Sequence, residues 1–183
     1  IHALIPKCPT APVAFPPKEL ARTEHSAWTL VEPGVLLASA RCTNPFPHGE
    51  VRFLENHEDP PSRAYLKLWE AFSLAGRWPK PGDRCVDLGS SPGGWTWALE
   101  RLGARITSVD KAPIDPRLVR LTRVRHVQDS AFAIDPVPLG RVNWVVSDVI
   151  CFPERIVRLV ERWLAVFPSA NFVVTIKFKG KTD

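Results

Sequence analysis

From Ser62 onward, strand-sized apolar runs alternate with helix-sized ones, and this alternation limits the fold more than any other feature of the chain. "SRAYLKLWEAFSLAG" (62–76) reads as a helix, with Ser62 as its N-cap after two prolines and Gly76 at its end. The strand "RCVDLG" (84–89) leads into the helix "GWTWALERLG" (94–103), and "ARITSVD" (104–110) is the next strand. "VRHVQD" (124–129) and "VNWVVSD" (142–148) continue the series. The helix "PERIVRLVERWLAVF" (153–167) and the strand "NFVVTIKF" (171–178) close it. In that helix Pro153 suits the first turn, while Ile156, Leu159, Val160, Trp163, Leu164 and Phe167 share one face. Strands joined through helices pair in parallel. The expectation is therefore an α/β fold, a mostly parallel sheet with helices on both faces.

Residues 1–61 differ in texture. Prolines recur in "CPTAPVAFPP", "NPFPHGE" and "DPP", which excludes long helices. "AWTLVEPGVLLASA" (27–40) reads as two short strands about a turn at Pro33-Gly34, and "EVRFLE" (50–55) as a third. Two domains are expected: a Pro-rich, β-containing appendage over 1–61 and an α/β domain over 62–183. With 45% hydrophobic and 23% charged residues, the composition is that of a soluble globular protein. A formal net charge of +5 leans toward a polyanionic partner.

Cys8, Cys42, Cys85 and Cys151 form no close pair, so neither a zinc site nor a disulfide scaffold is expected. Reduced thiols in a cytoplasmic protein fit better. His25, His48, His57 and His126 lack metal-ligand spacing, and no metal is expected. No apolar run is long enough to span a bilayer, and "IHALIPKCPT" lacks the shape of a signal peptide.

In a parallel sheet with helices on both faces, ligands bind beyond the carboxyl ends of the strands. The loop "GSSPGGW" after the first strand holds Gly89, Ser91, Pro92, Gly93, Gly94 and Trp95 there. Its glycines let backbone approach a ligand and free the next helix's amides to face it. Pro92 interrupts the G-x-G-x-x-G spacing of dinucleotide enzymes. Asp110 ends the second strand, 21 residues after Gly89, where an acid commonly bonds a ribose hydroxyl pair. Asp129 ends the third strand and suits an exocyclic amine. The pattern calls for a ribonucleoside without pyrophosphate, and S-adenosyl-L-methionine (SAM) meets that description. Trp95 would wall its apolar parts, whereas Trp97 reads as core filler.

These segments resemble the FtsJ/RrmJ-like ribose 2′-O-methyltransferases over about residues 60–183. "VDLGSSPGGW" is similar to the family's cofactor loop, "SRAYLKL" to the helix before its first strand, and "VVSD" and "FVVTIK" to two later strands. The resemblance implies a Rossmann-like SAM methyltransferase sheet. Lys67, Asp148 and Lys177 then match three members of a Lys-Asp-Lys-Glu catalytic tetrad, with Asp148 also beside the cofactor. The wording of "PGGWTWAL", "VNWVVSDV" and "ERWL" is most similar to the bacterial branch that modifies a cytidine ribose in large-subunit ribosomal RNA. The implied partner is RNA, and ribosomal RNA in particular. The segment "VICFPER" after Asp148 departs from the "MAP"-type continuation of better-known members. The tetrad glutamate and two further strands, one antiparallel, are expected beyond Asp183, which makes the native protein longer than this sequence.

A ribose 2′-hydroxyl needs a positioned base, since it is a poor nucleophile near neutral pH. Lysine serves as one only when burial or a nearby cation brings its pKa well below about 10.4. The resemblance implies Lys177 as the base, Lys67 as the nearby cation that also holds substrate, and Asp148 as the group orienting Lys177. Arg101, Arg105, Arg117, Arg120, Arg123 and Arg125 are candidates for a phosphate track, and Lys179 and Lys181 for further phosphate contacts. Two other classes compete. One is a dinucleotide-dependent oxidoreductase, disfavoured by Pro92; the other is a non-catalytic RNA-binding or ribosome-assembly module that keeps a SAM pocket.

Overall fold

A computed structural model of the chain describes residues 12–17, 26–44, 46 and 51–178. Contacts divide the chain into two compact units, one of 1–56 with Trp69–Arg77 and the other of His57–Leu68 with Trp78–Asp183.

In the first unit, β1 (Ala27–Glu32) and β2 (Val35–Ser39) form an antiparallel hairpin in which Ala27 faces Ser39. The turn falls at Pro33-Gly34, where Gly34 has φ 85°. Of the third strand expected over 50–55, the described residues 51–55 form none. Phe53 makes only an isolated parallel bridge with Val13. The partner segment lies between Pro12 and Pro16, so few amides remain to build a ladder. Rings hold it instead: Phe15 stacks on Trp69 at 4.9 Å, and Phe53 meets Trp69 edge-on at 5.5 Å.

Helix α1 (Tyr65–Ala75) starts three residues later than expected. Residues 62–64 form tight turns, with the Leu66 amide donating to Arg63 O and the Lys67 amide to Ala64 O. Ser62 therefore does not cap the helix, and its Oγ is buried with no hydrogen-bond partner among the described residues. Gly76, at φ 63°, ends the helix as expected.

The second unit is built on β3 (Arg84–Leu88), α2 (Gly94–Arg101), β4 (Arg105–Asp110), α3 (Pro116–Val119), β5 (Val124–Gln128), β6 (Trp144–Ser147), α4 (Pro153–Val166) and β7 (Asn171–Val174). Its five strands run in the order β5-β4-β3-β6-β7, each neighbouring pair parallel. Leu88 of β3 lies opposite Val109 on one side and Ser147 on the other. From β3 the winding goes toward β5 first and then returns toward β7. Right-handed crossovers in opposite directions place α2 and α4 on opposite faces. The side chains of β3 agree. Asp87 meets Thr96 of α2, while Val86 and Leu88 join Ile156, Leu159 and Trp163 of α4 in the core.

Two expectations need correction here. Leu164 does not belong to the buried face of α4 and is exposed, whereas Ile156, Leu159 and Trp163 are buried and Phe167 packs against them. The last strand ends at Val174 instead of running to residue 178. Its ladder partner β6 stops at Ser147, so only Thr175 N, donating to Ser147 O at 2.9 Å, extends the pairing. Lys179 and Lys181 lie outside the described residues.

Trp163 is fully buried in the sheet's core. Trp163→Ala is expected to cost about 3–5 kcal/mol of stability by urea unfolding. A loss below about 1 kcal/mol would show that α4 does not carry the core of this face.

Candidate active site

The reversal of winding at β3 leaves a crevice outside the carboxyl ends of β3 and β6, where sheets of this kind bind ligands. A cavity of about 60 Å³ lies there, bordered among others by Ser62, Asp87, Gly89, Ser91, Trp95 and Asp148. Pro92 and Gly94 also line it, whereas Gly93 does not.

The loop's bareness turns out to serve the protein's own packing first. At Gly89, with φ 80°, an added Cβ would meet Val149 Cβ at 2.8 Å and Val149 Cα at 3.1 Å. At Gly94 it would collide with Ser62 Oγ. These positions are glycine because the chains after β6 and before α1 press against the loop, which brings both beside the crevice.

Side-chain caps then hold the loop. Asp110 Oδ2 accepts from the Ser91 amide at 3.0 Å, and its Oδ1 from the Ala112 amide at 2.9 Å. Each oxygen keeps a second lone pair for a ligand hydroxyl. Ser91 Oγ donates to Pro113 O at 2.9 Å. Asp129 is exposed next to Asp110, its own amide donating to Asp110 O at 3.1 Å and its Oδ1 accepting from the Ser130 amide. Trp95 is buried, with its indole Nε1 donating to Ala64 O at 2.8 Å. Trp97 is core, edge-on to Tyr65 at 5.0 Å.

The three polar residues singled out from α1, β6 and β7 converge. Lys67 Nζ lies 3.0 Å from Asp148 Oδ2 and 3.3 Å from its Oδ1. Lys177 Nζ approaches from the other side, 3.2 Å from Asp148 Oδ1 and 2.7 Å from its main-chain oxygen. Burial pushes the Asp148 carboxyl up, but hydrogen bonds from Lys67, Thr175 and Lys177 and the charge of Lys177 outweigh it, leaving it below the ordinary carboxylate range. Among the described residues, no group of His, Cys, Asp and Glu is arranged to hold a metal ion. No helix among them is long and apolar enough to cross a membrane.

A family model described as FtsJ-like methyltransferase matches residues 60–166, the span that carries the crevice, the loop and Asp148. The chain belongs to the FtsJ-like methyltransferase family. Its relatives include proteins named ribosomal RNA large subunit methyltransferase M. That of Shewanella frigidimarina is 40% identical over 131 residues, covering 67% of this chain and 36% of the relative. That of Halorhodospira halophila is 41% identical over 107 residues, covering 57% and 31%. That of Chromohalobacter salexigens is 35% identical over 172 residues, covering 88% and 47%. The chain thus spans less than half the length of these relatives. A solved structure of a candidate hemolysin from Lactococcus lactis shares the fold, with a TM-score of 0.51 at 23% identity over 60% of this chain and 54% of that one.

Sequence reasoning missed Asp87 in this member of the family, although the residue stands inside the quoted cofactor-loop string. Its side chain is buried, lines the crevice cavity, and accepts from Thr96 Oγ1 at 2.7 Å. Burial pushes its carboxyl up to about 7; the Thr96 hydrogen bonds oppose this, and the charges of Asp110 and Asp148 add to it. Thr175, which hydrogen-bonds Asp148, was also missed. Neither a serine- or threonine-rich neighbourhood nor a period marks it.

Because the Asp87 pKa is raised in the folded state, its contribution to stability is full below about 4 and is lost as pH rises toward about 7. Asp148 acts in the opposite sense and in another window, its contribution being lost only as pH falls below the ordinary carboxylate range. Asp87→Asn is expected to flatten the fall in stability between about pH 4 and 7, a change on the order of 1–3 kcal/mol. Urea unfolding of both proteins at several pH values checks it. An undiminished slope in the variant would assign the pH dependence to other groups.

Proposed function

We propose that the chain is the catalytic part of a cytoplasmic enzyme that transfers a methyl group from SAM to a ribose 2′-hydroxyl of ribosomal RNA. The observation that carries this reading is the meeting of Lys67 and Lys177 on the Asp148 carboxylate at the mouth of the crevice. The relatives named as ribosomal RNA methyltransferases support the substrate class. Residues 62–183 would form the methyltransferase domain, with 1–61 as the appendage.

The residues present fit the cofactor. SAM carries a sulfonium and an ammonium, and the carboxylates of Asp87 and Asp148 face the cavity with the unpartnered Ser62 hydroxyl. Asp110 would bond the ribose hydroxyls and Asp129 the adenine amine. Gly89, Ser91, Pro92, Gly93, Gly94 and Trp95 would shape the rim. The enclosed 60 Å³ is far below the roughly 300–1,000 Å³ of usual small-molecule pockets, so a whole nucleoside must also use that open rim.

When bound, SAM supplies an electrophilic methyl whose leaving group departs as a neutral thioether. The protein then has to align the hydroxyl in line and remove its proton. Lys177, at 27% side-chain exposure against 53% for Lys67, is the more enclosed amine and, once its ammonium has released a proton to solvent, takes the hydroxyl proton as the neutral amine. Asp148 holds Lys177 Nζ through both its carboxylate and its main-chain oxygen, which leaves the nitrogen little freedom to stray. Lys67 is more open to solvent and receives the substrate hydroxyl or its neighbouring phosphate.

Calorimetric titration with SAM should show binding by the native chain and a loss of at least tenfold in Asp110→Ala, the scale set by losing a hydrogen bond to a charged group. Equal affinity in the two would remove Asp110 from the pocket. In a methyl-transfer assay with ribosomal RNA, Lys177→Ala should lower the rate about 10²–10⁴-fold while SAM affinity stays within a few-fold. A variant as fast as the native chain would end the assignment of Lys177 as base.

A further inference from the structure

The parallel sheet has a second end, away from the crevice, and it carries a second and larger cavity. About 720 Å³ opens at the amino-terminal ends of the strands. Five arginines line it: Arg84 and Arg105 open β3 and β4, Arg123 and Arg125 flank the start of β5, and Arg141 precedes β6. Among the described residues, no aspartate or glutamate lines it.

Only one of these five charges is compensated by an ion pair among the described residues. Arg123 pairs with Glu100. Among the described residues Arg84, Arg105, Arg125 and Arg141 have no side-chain hydrogen bond or ion pair. The sheet makes matters worse, since Arg84 and Arg105 are direct ladder partners in β3 and β4. Like charges placed opposite one another in a ladder repel. The chain's whole formal excess, 24 basic less 19 acidic residues or +5, equals the number of guanidiniums gathered in this one place. An anion that bridges several of them turns the repulsion into binding. Planar guanidinium forks match phosphate oxygens in pairs. The exposed arginines are open to a large ligand.

We propose that this cavity is a phosphate-anchoring subsite that grips the backbone of the RNA substrate at a distance from the methylated ribose. The inference rests on the RNA reading above. The five residues of β3 span about 17 Å. The gripped phosphates therefore belong to a stretch of RNA well removed from the target nucleotide, and they position it without reading its sequence. The phosphate track considered from sequence thus divides. Arg105, Arg123 and Arg125 line the cavity, whereas Arg101, Arg117 and Arg120 do not. Arg117 is instead forked onto Asp115 at 2.8 Å.

The test measures binding of a fluorescently labelled single-stranded RNA by the native chain, Arg84→Gln/Arg141→Gln and Arg84→Lys/Arg141→Lys across a salt series, with SAM titration as the check on folding. The glutamine pair is expected to weaken RNA binding about tenfold or more. It should also flatten the plot of log affinity against log salt by about 1.4, the loss of two phosphate contacts on single-stranded nucleic acid. The lysine pair should keep the slope, since charge is retained. Inorganic tripolyphosphate, as the free-phosphate probe, should compete with RNA only weakly.

Unchanged affinity and slope in the glutamine pair, with SAM binding intact, would overturn the subsite and leave the RNA reading standing. A native chain that binds SAM but no RNA would overturn both. Tight tripolyphosphate binding that the glutamine pair loses while RNA binding persists would assign the cavity to a small phosphorylated molecule instead. If the glutamine pair fails to bind SAM, the exposed single variant Arg125→Gln carries the same comparison, with a slope change of about 0.7.

Discussion

The α/β unit is arranged around β3, the central strand of its five-stranded parallel sheet. Its neighbours β4 and β6 are reached by connections that leave in opposite directions, so a crevice opens at its carboxyl end. The crevice is narrow because the two loops bordering it are bound together. Ser147 Oγ donates to Leu88 O at 2.7 Å, and Val149 fills the space where Gly89 lacks a side chain. A larger residue at 89 would push apart the ends of β3 and β6 and, with them, Asp87 and Asp148.

Those two carboxylates show how environment separates chemically identical groups. Asp87 is buried with one hydroxyl donor and other carboxylates nearby, and it is pushed up to about 7. Asp148 lies at the rim of the same cavity between two ammonium groups, and it is held down despite its burial. The rim carboxylate is therefore ionised near neutral pH but held by two lysines, while the floor carboxyl answers to pH and to any cation that enters. That contrast suits a crevice receiving a positively charged ligand.

The sheet is also polar from end to end in its charges. Aspartates gather at the carboxyl ends of β3, β4, β5 and β6, and arginines at the amino-terminal ends. Under the proposed function, a cationic cofactor and a polyanionic substrate would find separate places on one small domain. Long-range attraction of the substrate and short-range chemistry need not compete for the same surface.

The strand–helix alternation, the hairpin turn at Pro33-Gly34 and the family of the cofactor-loop string were all legible in the residues. Each depends on neighbours a few positions apart, through periodicity, proline and glycine. Other features depended on pairing partners far along the chain. β7 stops at Val174 because β6 ends at Ser147, and "VRFLE" makes no strand because its partner lies between prolines. The Ser62 hydroxyl is buried beside Gly94 instead of capping α1. Asp87 looked like an ordinary strand residue until burial and Thr96 surrounded it. The arginines at 84, 105, 123, 125 and 141 are scattered in sequence, and only the parallel register brings them to one cavity. Local pattern thus decided which elements form and which motif they carry. Burial, register and charge environment arise between residues distant in the chain, and only the folded sheet could set them.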